Sequence, residues 1–397
     1  MTRPKRTITR TGSGLCLSGG GYRATLFHLG AARRLNELDL LGDLHAVSSV
    51  SGGSLFAGML ATHLPWPLVS SFSRPEWAAF EQAVQRLCSQ DLRTRPLLSR
   101  LAPWNWLGPG AVERMAALLD PHYGGRALHD LPPAPRFLLC ATDLTFGVNW
   151  TFSRTLSGDY QAGYLDSECL KMPPALAAAT SACFPPLFAP LHHPLKRRDL
   201  RRAGKAARDP RYETLLRDLR LNDGGNYDNM GLEPIWKAHE LVLVSDGGSS
   251  FDFWADKGPL WRLSRYVSVL DAQSRALRRR WLMAGSGGSY SAVYWSVDAS
   301  VHTYARRLPR DAACLSLGYS RETGALIGRI RTDLNRFSPE EQAILINHGY
   351  TVSDAALQAY LPASRRPAPW PSLKVPYPQF DETRARALFS GTRLKRL

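Results

Sequence analysis

Ser51 stands in a short run of small residues, Ser49-Val50-Ser51-Gly52-Gly53, that follows an apolar stretch and precedes a helical pattern. A serine at a tight strand-to-helix turn has the setting of a nucleophile elbow, in which the hydroxyl attacks an acyl carbon. Such a turn needs small neighbours because larger side chains two positions away would clash, and Ser49 replaces the usual first glycine. The same run is typical of an ordinary loop. Whether Ser51 is a nucleophile therefore depends on which other residues the fold brings to it.

Three consecutive glycines, Gly19, Gly20 and Gly21, form a second candidate in "LSGGGYR". Glycine lets the backbone approach an anion closely, and the free N–H groups at a helix start point toward that anion. The turn could be an oxyanion hole for acyl transfer or a phosphate cradle for a nucleotide. A dinucleotide site expects an acidic residue about 20 positions on, at the end of the second strand. Because "LHAVSSV" contains no acid, the nucleotide interpretation is the weaker one.

Both candidate turns lie where a strand pattern gives way to a helix pattern. "GLCLS" and "LHAVSSV" are short apolar runs, and each is followed by a segment with apolar residues at helical spacing. Strands that alternate with helices predict a mainly parallel sheet covered on both faces. Further along, the sequence predicts a hairpin over 136–153, strands at "LRLND" and "ELVLVSD", and a helix from about Pro339 to Leu361.

Taken together and in this order, "GGGYR" and "SVSGG" resemble the patatin-like phospholipases, and also the cytosolic phospholipase A group, which shares their fold. "ATDLTFG" and "AAATSACFPPLF" resemble further segments of the family, so the resemblance covers about residues 14–250 and, more weakly, 340–361. It implies a patatin-like three-layer α/β/α fold with a mainly parallel central sheet and a helical cap insertion. It also implies a lipid acyl hydrolase, of phospholipase A or lysophospholipase type, that uses no cofactor.

The family pairs its elbow serine with an aspartate in a D-G-G/A motif and uses no histidine. Two aspartates of this chain fit, Asp223 in "LNDGGNYDNMGLEP" and Asp246 in "LVSDGG". We assign Asp223, because the family follows its catalytic aspartate with a short turn, an Asn and then a Pro that opens a helix. A free aspartate has a pKa of about 3.9 and is a weak base, so burial must raise that pKa or orientation must compensate.

The resemblance assigns Gly19, Gly20 and Gly21 to the oxyanion hole. For Arg23 it leaves two alternatives open: a contact with the lipid phosphate, or an ion pair that supports the glycine loop. A Ser-His-Asp triad is the main rival to the Ser51–Asp223 dyad, but His28 and His63 are placed too far along their helices to reach Ser51. We therefore expect all ten histidines to be structural.

The composition is that of a folded protein with a strong positive charge. The 397 residues include 44% hydrophobic and 21% charged side chains, and the net charge is +16. That charge favours anionic partners, a membrane surface or nucleic acid, unless the arginine-rich composition merely reflects coding background. No nucleic-acid-binding signature is present, so nucleic acid is not expected. The functional alternatives are a catalytically silent patatin-fold protein that binds lipid or acts as a scaffold, and a basic nucleic-acid-binding protein.

Three features that the sequence lacks indicate where in the cell the protein is expected. No apolar run approaches the roughly 20 residues that span a bilayer, and the N-terminus has no apolar signal region. The six cysteines form no CxxC pair, so neither disulfides nor a metal site are expected. These features predict a cytoplasmic protein with a peripheral contact at the inner, anionic membrane face.

We divide the chain into a basic N-terminal segment (1–13), a hydrolase domain (14–361) and a Pro-rich, basic tail (362–397). Within the domain, a cap insertion is expected over about 64–132 and a mobile basic insertion over about 195–211. No linker separates two domains.

Overall fold

The computed structural model describes residues 9–67, 71–98, 109–166, 171–248, 255 and 258–390. Their strands form one sheet: β1 (Ser13–Leu17), β2 (Leu44–Val50), β3 (Arg136–Asp143), β4 (Val148–Phe152), β5 (Leu156–Asp159), β6 (Gly163–Asp166), β7 (Leu191–His192), β8 (Arg202–Ala203), β9 (Arg220–Asp223), β10 (Leu241–Asp246) and β11 (Ser291–Ser296).

The described α-helices lie between and around these strands. They are α1 (Gly21–Glu37), α2 (Gly52–His63), α3 (Arg74–Cys88), α4 (Thr94–Leu98), α5 (Ala111–Leu119), α6 (Pro174–Ser181), α7 (Tyr212–Arg217), α8 (Gly225–Asp228), α9 (Glu233–Trp236), α10 (Pro259–Gly285), α11 (Ala313–Leu317), α12 (Arg321–Gly328), α13 (Pro339–Tyr360) and α14 (Glu382–Ser390).

The first half of the sheet is parallel, with the strand order β11-β10-β1-β2-β3. β4, β5, β6 and β8 then extend it in antiparallel fashion. Alternation along β1 buries Leu15 and Leu17 in the large apolar core on one face and Cys16 in a smaller cluster on the other. The sheet is thus covered on both faces, and the predicted three-layer α/β/α fold with a mainly parallel sheet is confirmed.

The strand β9 occupies a special position beside β3. β2 pairs with Arg136–Cys140, the first part of β3, whereas β9 pairs with Ala141–Asp143 in antiparallel fashion. Because β4 occupies the opposite edge of β3, β9 must lie on the same edge as β2. The C-terminal end of β9 lies next to the C-terminal end of β2 along that edge. The C-terminal residues of these two strands therefore meet.

The predicted hairpin over 136–153 is formed by β3 and β4, and the predicted helix near 339–361 is α13, which packs along α1. α3, inside the predicted cap segment, packs against α1 and α2 and buries Phe80 and Val84 in the large core. Segment 195–211, which we expected to be mobile, forms two 3-10 turns and the short strand β8, with mostly exposed side chains. Residues 1–8 and 391–397 of the predicted terminal segments lie outside the described residues.

Among the described helices, none combines the length and the apolar character that crossing a bilayer requires.

Candidate active site

Ser51 occupies a sharp turn between β2 and α2. Its backbone has φ 51° and ψ −121°, a strained combination for a residue with a side chain. The turn is tight enough that a Cβ on Gly52 would lie 2.0 Å from the carbonyl oxygen of Gly21. Glycine at 52 is therefore required by the close approach of the two candidate turns, and the half-buried Ser51 lies beside the glycine loop.

The three loop glycines differ in what their amides do. The N–H of Gly19 donates to the carbonyl oxygen of Asn229 at 2.9 Å, so it is not available for an oxyanion. The amides of Gly20 and Gly21 form no hydrogen bond within the described part of the chain, and both residues have positive φ, 143° and 58°. A Cβ on Gly19 would lie 3.1 Å from the Cβ of Ser51. The loop therefore lies against the Ser51 side chain, and the amides of Gly20 and Gly21 are two donors without a partner in the described structure.

The register of the sheet brings Asp223 to Ser51. Val50, the last residue of β2, pairs with Cys140, and Asp223, the last residue of β9, pairs with the next residue of β3, Ala141. Both strands use the same edge of β3. Ser51 and Asp223 therefore come together from segments 172 positions apart (223 − 51).

The Asp223 carboxyl group is buried, with 2% of the residue exposed. Its Oδ1 accepts a hydrogen bond from the Gly225 amide at 2.7 Å, and its Oδ2 has no partner in the described structure. Burial raises the pKa of Asp223 to about 7, and the negative charge of Asp271 adds to the increase; the Gly225 amide and the Ser51 hydroxyl oppose it. Ser51 is thus close enough to stabilise the carboxylate, although no formed hydrogen bond joins them here. Catalytic hydrogen bonds are often long before substrate binds.

Asp246, the other DGG aspartate, lies elsewhere. It ends β10, and β1 separates that strand from β2. Two strand spacings amount to roughly 10 Å, which is too far for a hydrogen bond to Ser51. Its carboxylate accepts hydrogen bonds from the Tyr294 hydroxyl at 2.8 Å and from the Gly248 amide at 2.9 Å. The structure therefore pairs Ser51 with Asp223 and gives Asp246 the contacts of a turn residue.

The family model for patatin-like phospholipases matches residues 15–236, more than half of the chain and the part that carries both turns and Asp223. This chain belongs to the patatin-like phospholipase family. That family is one of lipid acyl hydrolases.

Solved structures of similar fold include the human GIVD cytosolic phospholipase A2, with a TM-score of 0.50 and 12% identity over 90% of this chain and 62% of that one. VipD from Legionella pneumophila aligns with a TM-score of 0.41 and 13% identity over 91% of this chain and 72% of that one. The chain thus spans less than two thirds of the human protein, and at these identities the likeness concerns the fold alone. No curated protein matches the chain by sequence.

Arg23, which a phospholipase could use for the lipid phosphate, instead points into the protein. Its side chain is buried, and it donates to three backbone carbonyls, those of Gly247 at 2.9 Å, Gly328 at 3.1 Å and Ile330 at 2.6 Å. These bonds join the helix after the glycine loop to two distant segments. The geometry therefore favours the loop-support alternative, with backbone carbonyls among the partners of Arg23.

His28 and His63, on the helices that follow the two turns, are held by hydrogen bonds to residues other than Ser51. His28 is buried between the hydroxyl of Ser245 at 2.8 Å and the carbonyl of Ser18 at 2.9 Å, and burial lowers its pKa to about 4. His63 bonds to the Met59 carbonyl on its own helix at 3.2 Å. Within the described residues, which include all ten histidines, none forms a hydrogen bond with Ser51. The geometry offers no support for a triad.

One site residue was missed by the sequence reasoning. The hydroxyl of Ser181, at the end of α6, accepts the Ser51 amide at 2.8 Å and donates to the Cys140 carbonyl at 2.6 Å. Its carbonyl oxygen accepts the Gly224 amide at 3.2 Å. Ser181 thus ties the turn of Ser51 to the turn of Asp223. "AAATSACFPPLF" looks like one segment of the family, but nothing in its local pattern distinguishes this serine.

Ser181→Ala is expected to slow the ester hydrolysis expected of this family while leaving Ser51, the candidate nucleophile, in place. Losing a buried hydrogen bond costs about 1–3 kcal/mol, so kcat on a soluble ester should fall roughly 10- to 100-fold while KM changes little. Fluorophosphonate labelling should slow in parallel but still reach completion, because Ser51 remains. Ser54→Ala is the matched control. It removes the hydrogen bond between the Ser54 and Ser181 hydroxyls, at 2.8 Å, and leaves the bond from the Ser51 amide to Ser181 intact. Equal labelling rates in the two variants would contradict a positioning role.

Proposed function

We propose that this chain hydrolyses acyl esters of membrane lipids, as a phospholipase A or lysophospholipase, with Ser51 as nucleophile and Asp223 as base. The observation that carries the proposal is the meeting of a strained, half-buried serine with a buried carboxyl group whose second oxygen has no partner in the described structure. Strain and an unpaired buried polar atom both cost stability. A protein without catalytic activity gains nothing from these two features. In a hydrolase, the turn exposes the serine to substrate and the unpaired carboxyl oxygen is available to accept a proton.

The first half-reaction transfers the acyl group to the enzyme. Asp223 accepts the Ser51 proton as Oγ attacks the ester carbonyl, and the carbonyl oxygen becomes an oxyanion. The free amides of Gly20 and Gly21 would donate to that oxyanion, which is usually the largest single contribution to the rate. When the tetrahedral intermediate collapses, the lysolipid or glycerol oxygen leaves with the proton held by Asp223.

The second half-reaction regenerates the enzyme. Asp223 takes a proton from water, the hydroxide attacks the Ser51 ester, and the fatty acid leaves as Ser51 regains its proton. A base is most effective when its pKa lies near the working pH. The pKa of about 7 that burial gives Asp223 meets that condition, whereas an exposed aspartate would be a much weaker base.

The proposed activity belongs to one domain and to the cytoplasmic face of a membrane. The hydrolase domain is residues 14–361, with insertions at about 64–132 and 195–211, and it would act in the cytoplasm at the surface of an anionic membrane. The exposed segment 195–211 carries eight basic and two acidic residues, which supports such a contact.

The proposed activity predicts release of free fatty acid. Phosphatidylcholine and lysophosphatidylcholine in mixed micelles should each be incubated with the full chain, and the products identified by mass spectrometry. Loss of one acyl chain from phosphatidylcholine indicates the A type, and turnover of the lyso form alone indicates a lysophospholipase. Binding to both lipids without any fatty-acid release would contradict the proposal and favour a lipid-binding or scaffolding protein.

A further inference from the structure

The long helix α10 has its polar and apolar faces reversed. Four of its large apolar side chains lie at spacings of four, seven and four residues, which places them on one side of a helix. They are also among the most exposed side chains of their kind: Tyr266 is 62% exposed, Leu270 70%, Leu277 48% and Trp281 63%. We call this row the apolar stripe. A surface helix normally turns such a row toward the core.

The opposite side of α10 is charged and faces the protein. Arg275 pairs with Asp271 at 3.2 Å, and Arg278 pairs with Asp228 of α8 at 3.2 Å. α8 directly follows the turn of Asp223, and Asp271 is near enough to act on the Asp223 carboxyl group. Leu282 is buried in the smaller core cluster and anchors the end of the helix. The ion pair of Arg278 with Asp228 and the burial of Leu282 fix which side of α10 faces outward.

We propose that the apolar stripe of α10 lies in the headgroup region of an anionic phospholipid bilayer and holds the active site against it. The inference deepens the proposed lipid hydrolase function and rests on it, because the same helix contacts the loop of Asp223. A row of four large, exposed apolar side chains marks an interaction surface.

The charge on the helix selects a bilayer over another protein or a second copy of the chain. Residues 259–285 contain six arginines and one acidic residue, Asp271. Arg275 and Arg278 are used in ion pairs, but Arg262, Arg279 and Arg280 are exposed to solvent. A helix that exposes arginines together with Trp, Leu and Tyr is typical of helices that lie in the plane of an anionic membrane. A second copy would bring the same positive charge to the contact and repel it.

The dimensions suit a helix lying flat. The stripe covers 15 residue steps (281 − 266), from Tyr266 to Trp281, or roughly 22 Å along the helix axis. The turn that leaves Ser181 also exposes Phe184 (57%) and Leu187 (51%), so a second segment attached to the site presents apolar side chains to solvent.

The test is vesicle flotation of the full chain with phosphatidylcholine vesicles containing about 30% phosphatidylglycerol, an anionic lipid that should attract the basic helix. Leu270→Ser/Trp281→Ser should lower the partition coefficient at least tenfold and lower phospholipid hydrolysis in parallel. Hydrolysis of soluble p-nitrophenyl butyrate should stay within twofold, which also shows that the variant is folded. The matched control is Leu144→Ser/Leu317→Ser, because Leu144 and Leu317 are 45% and 47% exposed on other elements. That control should bind like the wild type.

A second variant tests the charge. Arg280 is exposed at the end of the stripe, and Arg280→Glu should weaken binding to the anionic vesicles and leave binding to pure phosphatidylcholine unchanged. Unaltered flotation of the double variant, or a wild type that binds no anionic vesicle at low salt, would overturn the proposal. So would a change from dimer to monomer in the double variant, since a second copy would then cover the stripe. Specific vesicle binding without hydrolysis of either ester would support the stripe and refute the proposed function.

Discussion

Ser51→Ala is expected to lose fluorophosphonate labelling completely and to lose turnover of a soluble ester by roughly 10⁶-fold, the scale seen when a serine hydrolase loses its nucleophile. The reason is that no other serine of the described chain combines a strained turn, a neighbouring glycine loop and a buried carboxyl group. The measurements are gel labelling with a fluorescent fluorophosphonate and initial rates on p-nitrophenyl butyrate.

The control for this experiment lies two residues earlier. Ser49 is buried, and its hydroxyl bonds to Ser54 at 3.0 Å and to the Leu138 carbonyl at 3.3 Å. Ser49→Ala therefore disturbs the same strand at a cost of about 1 kcal/mol but leaves Ser51 in place. It should label normally. Persistent labelling of Ser51→Ala would show that the nucleophile lies elsewhere, and loss of labelling in both variants would point to a damaged turn.

Much of this site could be predicted from the sequence because its parts have local signals. The turns at Gly19–Gly21 and Ser51 sit between short apolar strands and helices, and both elements form where the pattern puts them. Asp223 is assigned through the family resemblance, because the residues after it follow the family's pattern. The meeting of these parts was not local, since it depends on β9 pairing with the end of β3, and no residue pattern in "LRLND" specifies that partner.

The roles that the sequence leaves open or does not show depend on contacts distant in sequence. Whether Arg23 turns outward to a ligand or inward is decided by the carbonyls of Gly247, Gly328 and Ile330, the nearest of them 224 positions away. Ser181 has a role only because α6 ends beside both turns.

The apolar period of α10 could be read from the sequence, but the direction of its stripe could not. Ordinarily the apolar side of a helix faces the core. Here the inner side is set by the ion pair of Arg278 with the buried Asp228 and by the burial of Leu282, so the general rule gives the wrong face.

Asp223→Asn is expected to abolish turnover and, at pH 8, to stabilise the protein. The amide keeps the shape of the carboxyl group but cannot accept the Ser51 proton, so kcat should fall about 10³-fold, within the range for a lost general base. The stability gain has a separate origin. Burial raises the pKa of Asp223 to about 7 in the folded protein, while the unfolded chain releases that proton near about pH 4.

The sign and the pH range of that gain follow from proton linkage. Between about pH 4 and pH 7 the folded state holds a proton that the unfolded chain has lost, so rising pH favours unfolding of the wild type. The cost is absent below about pH 4 and complete above pH 7, where roughly three pKa units correspond to at most about 4 kcal/mol. The amide side chain of the Asp223→Asn variant does not titrate and escapes this cost. Urea unfolding should therefore give equal stabilities for the two proteins near pH 4 and a more stable variant at pH 8.

The raised pKa of Asp223 should also determine how the activity of the wild type depends on pH. Because only the carboxylate form of Asp223 accepts a proton, kcat/KM on a soluble ester should fall about tenfold for each pH unit well below pH 7. Asp246→Asn is the control: its carboxylate serves Tyr294 and Gly248, so the variant should keep turnover within a few-fold and gain no stability at pH 8. If Asp246→Asn were inactive and Asp223→Asn active, the base would be the other aspartate. If Asp223→Asn were inactive but less stable than the wild type at pH 8, the carboxylate of Asp223 would stabilise the fold. Its ionisation would then not carry the cost that a buried catalytic base is expected to have.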